Sequence, residues 1–263
     1  MNLSARAAVA LLSLGLSFGA AAAQPDQPPR TPSADFDLSR WKLTLPHDAV
    51  GGIAGDATEV ARLQAYTQPP YFYSAADGGM VFWAPVNGAT TGGSNYPRSE
   101  LREMQQAGNA ALNWSSADRS VLDARLKVDR TPAASGKLVV GQIHGYGVAP
   151  LVKLQYEASG GRLYALINPT PTSSIPLKFL LASGVPMGRV FDYRIAVDDG
   201  VLSLSAAGGK PLQYRIDPRW QPVGLYFKAG AYVQASGSDG ADGGQATFYR
   251  LAAAHPVEAV AAH

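Results

Sequence analysis

An all-β fold is what this sequence predicts: a jelly-roll sandwich of two antiparallel sheets, with a substrate groove on the concave sheet. Three observations point to it. Apolar and polar residues alternate through one short run after another, which is the period of a strand. Turn clusters rich in Gly, Asp and Ser separate the runs. The 263 residues include 28 Gly, 19 Pro and 12 Tyr, and helical periodicity is weak throughout.

The elements follow in chain order. Residues 1–23 read as a secretory signal peptide: Arg6, then a small apolar run, then "AAA" at 21–23 as a cleavage site. The run is short for a membrane span, and polar, Pro-rich sequence follows it. An exported protein is expected, periplasmic or secreted, with no membrane attachment once the signal is removed. Residues 24–34 form a Pro-rich linker, the folded domain covers 35–254, and 255–263 make a flexible tail. No composition break or repeat divides the domain. A monomer is expected.

Within the domain, "KLTL" (42–45), "MVFWAPV" (80–86), "SVLDARLKV" (120–128), "KLVVGQIHGY" (137–146), "LVKLQYEA" (151–158) and "RLYALIN" (162–168) alternate as strands. So do "FDYRIAVDDGVLSLSAAG" (191–208), "VGLYFKAGAYVQ" (223–234) and "QATFYRLA" (245–252). "DDG" at 198–200 marks a hairpin. "DATEVARLQ" (56–64) is expected to form a short helix or turn.

Composition excludes several functions. Cys is 0, which removes disulfides, thiol catalysis and the common zinc sites. His47, His144, His255 and His263 lack metal-ligand spacing, so no metal is expected. No Gly-rich phosphate loop opens a helix. The formal charge of +2 falls to +1 when the signal takes Arg6 away, so nucleic acid is not an expected partner. Attraction for a polyanion must come from a local cluster.

Three strands carry such a cluster. "YPRSELREM" (96–104) puts Arg98, Glu100 and Arg102 on one face, either as a solvated ladder of ion pairs or as the wall of a groove. "VVGQIHGYG" (139–147) puts Gln142 and His144 on one face, with Gly141 and Gly145 leaving room for something to approach. "LYFKAGAYVQ" (225–234) has a core face and an opposite face of Tyr226, Lys228, Gly230, Tyr232 and Gln234. Tyr, Lys and Gln together suit a sugar surface. Three faces of one character suggest one anionic substrate.

"RSELRE" (98–103), "QIH" (142–144) and "YFKAGAYVQ" (226–234), in that order, resemble the three motifs of the alginate lyases of polysaccharide lyase family 7. The likeness extends to "WKLTLP" (41–46) and "ATFYRL" (246–251). It implies a β-jelly roll and β-elimination on an acidic polysaccharide, alginate, giving unsaturated oligouronates. No cofactor is expected, because elimination exchanges only protons.

The chemistry has three needs. The carboxylate beside C5 must be neutralised before its neighbouring proton leaves. Arg98 and Gln142 suit that task, with Arg102 and Lys228 holding neighbouring uronates and Glu100 orienting the arginines. A base must take the C5 proton, which suits His144 near neutral pH. An acid must protonate the leaving O4, and the resemblance puts Tyr232 rather than Tyr226 there; in mannuronate Tyr232 could do both jobs. Tyr226 and Gln234 complete the expected substrate-binding set. Ile143 in "QIH" leans the expectation toward guluronate or mixed blocks. Two alternatives stand beside this reading: a lyase of another polyuronate such as a glucuronan, and a non-catalytic carbohydrate-binding jelly roll. A glycoside hydrolase needs two facing carboxylates, and only Glu100 is available.

Overall fold

Fifteen strands and two one-turn 3-10 helices make up the computed structural model over residues 30–255. The expected signal peptide, most of the linker and residues 256–263 lie outside the described residues. Eight strands form one antiparallel sheet. In spatial order they are β10 (Leu177–Ala182), β9 (Arg162–Ile167), β8 (Pro150–Glu157), β7 (Lys137–Gly145), β14 (Leu225–Val233), β5 (Arg98–Glu103), β1 (Trp41–Leu45) and β2 (Thr58–Val60). The other sheet has seven: β13 (Leu212–Arg215), β12 (Val201–Ala206), β11 (Phe191–Asp198), β6 (Ser120–Arg130), β15 (Gly243–Ala254), β4 (Met80–Pro85) and β3 (Phe72–Ser74). This is the all-β, two-sheet architecture expected from the alternation.

The core lies between the sheets. Leu43, Leu101, Ile143 and Phe227 from the first sheet meet Phe82, Leu126, Ile195 and Phe248 from the second, all fully buried. Burial of this apolar surface is the main force holding the sheets together. Side chains alternate, so each core residue sets its neighbour outward. The outward face of the eight-stranded sheet therefore inherits Arg98, Glu100 and Arg102 from β5, and Tyr226, Lys228 and Tyr232 from β14.

One strand departs from simple alternation, and the departure matters. Along β7, Leu138, Val140 and Ile143 all belong to the core cluster. Val139 pairs with Gln155 and Gly141 with Leu154, so Val140 is an extra residue, a β-bulge. Without it, the phase set by Leu138 and Val140 would turn Gln142 and His144 into the core. Tyr193 of β11 supports the bulge from across the sandwich: its hydroxyl donates to the Val140 carbonyl at 3.1 Å. A Cβ at residue 141 would lie 2.6 Å from that same hydroxyl. Gly141 thus makes room for Tyr193, not for a ligand. Gly145 is filled in the same way, by Val148 and Val223.

Several expectations change. Residues 56–64 contain a strand, β2, rather than a helix, because Val60, Glu59 and Thr58 pair with Leu43, Thr44 and Leu45. The short strands β3, β10 and β13 are additional. Pro32–Ala34, at the end of the expected linker, form a 3-10 turn with Pro32 buried, so ordered structure begins before residue 35. At the far end β15 runs to Ala254. His255, expected in the flexible tail, bonds Ser120 through Nδ1 at 2.9 Å and Glu103 through Nε2. Among the described residues no helix is long and apolar enough to cross a membrane.

Candidate active site

Glu100 is the centre of the outward face. It is fully buried, and a lone buried carboxylate would be costly. It has three partners: Arg98 Nη1 at 3.1 Å, Lys228 Nζ at 2.6 Å, and the Gln142 amide, which donates to its other oxygen. Burial alone would raise its pKa; the Lys228 and Arg98 charges and the hydrogen bonds outweigh this and hold it below the ordinary carboxylate range. One carboxylate thereby ties together three strands, β5, β14 and β7. The cross-strand register explains how: Gly230 stands opposite Glu100, and Lys228 stands between Arg102 and Gln142. Gly230 has φ 149°, and a Cβ there would lie 2.5 Å from the Ser99 carbonyl.

The geometry gives Glu100, Arg102 and Lys228 specific partners within the protein. Glu100 orients Arg98, Lys228 and Gln142, but not Arg102. Arg102 donates instead to the Glu103 and Ala110 carbonyls at 2.7 and 2.6 Å and to Asn113 Oδ1 at 2.9 Å. Its guanidinium lies 3.9 Å over the Tyr226 ring. Arg102 is thus packed on Tyr226 and Lys228 is a counter-charge for Glu100, and both also line the cleft described below. Gln234 lies past the end of β14, and its amide turns back to the Val233 carbonyl at 2.7 Å. It does not line the cleft described below.

His144 stands opposite Tyr226 across β7 and β14. The two rings stack with centroids 5.5 Å apart. His144 Nδ1 is 2.9 Å from the Gly145 carbonyl and 3.2 Å from the Tyr226 hydroxyl. A carbonyl only accepts, so Nδ1 carries the proton and Nε2 keeps its lone pair. Burial, then the Lys228 charge, push the His144 pKa down to about 4. The imidazole is therefore neutral at pH 7, as a base must be.

Tyr232 stands opposite Arg98, whose guanidinium lies 3.8 Å over its ring. Ser94 joins the two: its Oγ accepts from Arg98 Nη2 at 2.7 Å and is 3.2 Å from the Tyr232 hydroxyl. Ser94 belongs to the Gly-rich segment 87–95, of which Thr91–Ser94 form the rim of the cleft described below.

Arg98, Arg102, Gln142, His144, Tyr226, Lys228 and Tyr232 open on one cleft of about 770 Å³. It also takes Lys42, Glu59 and Lys153, which lie outside the three motifs. Five basic side chains line it against one carboxylate, Glu59, with Glu100 buried beneath, and this gives it a positive character suited to a polyanion. Among the described residues no group of acidic or His side chains is arranged to hold a metal.

A family model described as alginate lyase matches residues 36–255, nearly the whole described domain. The chain belongs to the alginate lyases of polysaccharide lyase family 7. It is therefore a polysaccharide lyase, and a non-catalytic sugar-binding module is set aside. An alginate lyase of Klebsiella pneumoniae is 30% identical over 279 residues, covering 85% of this chain and 91% of that protein. The solved alginate lyase of Pseudomonas aeruginosa shares 38% identity with a TM-score of 0.76, over 84% of this chain and 100% of its own. Alginate lyase A1-II′, a member of polysaccharide lyase family 7, shares 34% identity with a TM-score of 0.77, over 86% and 99%. A form of A1-II′ with one His→Asn and one Tyr→Phe change was crystallised with the substrate GGMG.

Proposed function

We propose that this lyase cleaves alginate by β-elimination in the cleft on the eight-stranded sheet, with guluronate or mixed blocks preferred. The observation that carries the reading is a neutral His144 with its Nε2 lone pair free, in a cleft shared with Tyr232. Arg98 and Gln142 neutralise the carboxylate of the reacting sugar, and this stabilises the charge that develops when C5 loses its proton. Arg98 lines the cleft, and Glu100 and Ser94 hold its guanidinium in place for the task. His144 Nε2 takes the C5 proton, and the Tyr232 hydroxyl gives its proton to O4. The C4–O4 bond breaks and a C4–C5 double bond forms. In guluronate the proton and O4 lie on opposite faces, so two residues are needed; in mannuronate they share a face, and Tyr232 serves both. That A1-II′ was trapped with a substrate after changes at a His and a Tyr supports assigning the chemistry to such a pair.

Tyr226 has a different part. Its hydroxyl touches the protonated nitrogen of His144, so it fixes the imidazole rather than the leaving group. We also assign the protein to an exported location, periplasmic or secreted, on the N-terminal sequence.

The test follows ultraviolet absorbance of the unsaturated product on polyguluronate and polymannuronate. Tyr232→Phe should lose about 10²–10⁴-fold in kcat on both. His144→Ala should reduce guluronate cleavage more than mannuronate cleavage. The reverse order would overturn the base assignment.

A further inference from the structure

Side chains on the cleft face fall into a single cross-strand row. Lys42 stands opposite Arg102, Arg102 opposite Lys228, Lys228 opposite Gln142, and Gln142 opposite Lys153. The row runs at right angles to the strands, with roughly 4.8 Å between neighbours. Most of its cations are engaged within the protein. Lys42 pairs with Glu59 at 2.7 Å, and Arg102 and Lys228 have the partners given above. Arg98, outside the row, is shared between Glu100 and Ser94.

Lys153 differs. Its neighbours Val152 and Leu154 are buried in the core, so its own side chain leaves β8 on the cleft face. It is half-buried, and among the described residues no ion pair or hydrogen bond engages its Nζ, although the Glu100 charge favours its protonated form. Burial, then the Arg98 charge, depress its pKa. A lysine in that condition lowers the free energy of a bound anion more than a fully solvated one would, because part of its desolvation has already occurred.

We propose that Lys153 binds the carboxylate of a uronate adjacent to the reacting one, on the side of the centre that faces β8 and β9. Its place beside Gln142, one strand out, carries this assignment. The chain then crosses the strands along the row, and Lys153 is the first free cation beyond the catalytic groups. The inference rests on the lyase reading above and deepens it by naming a binding position.

The experiment compares wild type, Lys153→Met and Lys153→Arg on polyguluronate. Lys153→Met should raise KM about tenfold, the loss expected for one charge-assisted hydrogen bond, with a much smaller change in kcat. Lys153→Arg should restore most of the loss. The second arm measures binding of a guluronate hexamer by calorimetry in the Tyr232→Phe background, with and without Lys153→Met. The dissociation constant should weaken by a similar factor. An unchanged KM, a loss confined to kcat, or an unchanged dissociation constant would each overturn the proposal. Turnover by Tyr232→Phe alone reports on the lyase reading, while the ratio of the two dissociation constants reports on Lys153.

Discussion

Two strands of this molecule look alike in sequence and end differently. β5 reads Arg98, Glu100, Arg102 at every second position, and β6 reads Asp123, Arg125, Lys127, Asp129. Both place alternating charges on the outward face of a sheet. On β6 and its neighbours the result is a solvated ladder: Arg125 to Asp192 at 2.9 Å, Arg194 to Asp123 at 2.8 Å, Arg250 to Asp192 at 3.3 Å. Side chains there are about half exposed, Arg125 at 53% and Asp192 at 50%. On β5 the charges are buried, Arg98 at 7% and Glu100 at 0%. The difference comes from the neighbours. β11 offers β6 complementary charges and nothing else. β14 and β7 offer β5 two tyrosines, a lysine, a glutamine and a histidine, which cover the charges and fasten them into one network. Charge alternation alone therefore says only that a face is outward; what stands across the strand decides whether it is a surface or a site.

The contrast can be broken most forcefully at Glu100. Glu100→Gln leaves Lys228 and Arg98 buried without their counter-charge. It should destabilise the fold by about 3–5 kcal/mol, seen in urea unfolding, and remove most activity. A next, smaller effect is expected at the bulge. Tyr193→Phe deletes the donor to the Val140 carbonyl and should cost about 1–3 kcal/mol. Because that bulge turns Gln142 and His144 outward, kcat should fall too, although Tyr193 lies in the core between the sheets.

The pH profile sharpens the same point. On the proposed mechanism the neutral form of His144 acts as the base, so kcat/KM should rise with pH through a midpoint near 4, not near the ordinary histidine value of about 6.5. Burial, then Arg98, push the Lys228 pKa down to about 8. Loss of that proton uncovers Glu100, so kcat/KM should fall as pH rises through about 8. The smallest effect belongs to the ladder. Asp123→Asn should change stability by less than about 1 kcal/mol, and less still in high salt.

Much of this was legible in the sequence. Alternation located the long strands, and their composition separated core faces from site faces. Arg98, Gln142, His144, Tyr226, Lys228 and Tyr232 all open on the cleft, as the motifs suggested. What the sequence hid was pairing. Nothing in "RSELRE" says that Glu100 holds Lys228 of a distant strand while Arg102 turns to Asn113. The bulge at Val140 was hidden because its cause, Tyr193, lies in the opposite sheet. Strands β2, β3, β10 and β13 are short or at sheet edges, where alternation is brief or broken. Lys153 within "LVKLQYEA" is not marked by the sequence, since a single lysine in a strand carries no signal until its neighbours are known.

The most direct test of the central claim is one substitution made in both sheets. Arg98→Gln and Arg194→Gln each remove an arginine charge beside a carboxylate, one in the cleft and one on the ladder. On polyguluronate, followed by ultraviolet absorbance, Arg98→Gln should lower kcat/KM by about 10²–10³-fold and Arg194→Gln should leave it unchanged. Equal values for the two variants would contradict the account.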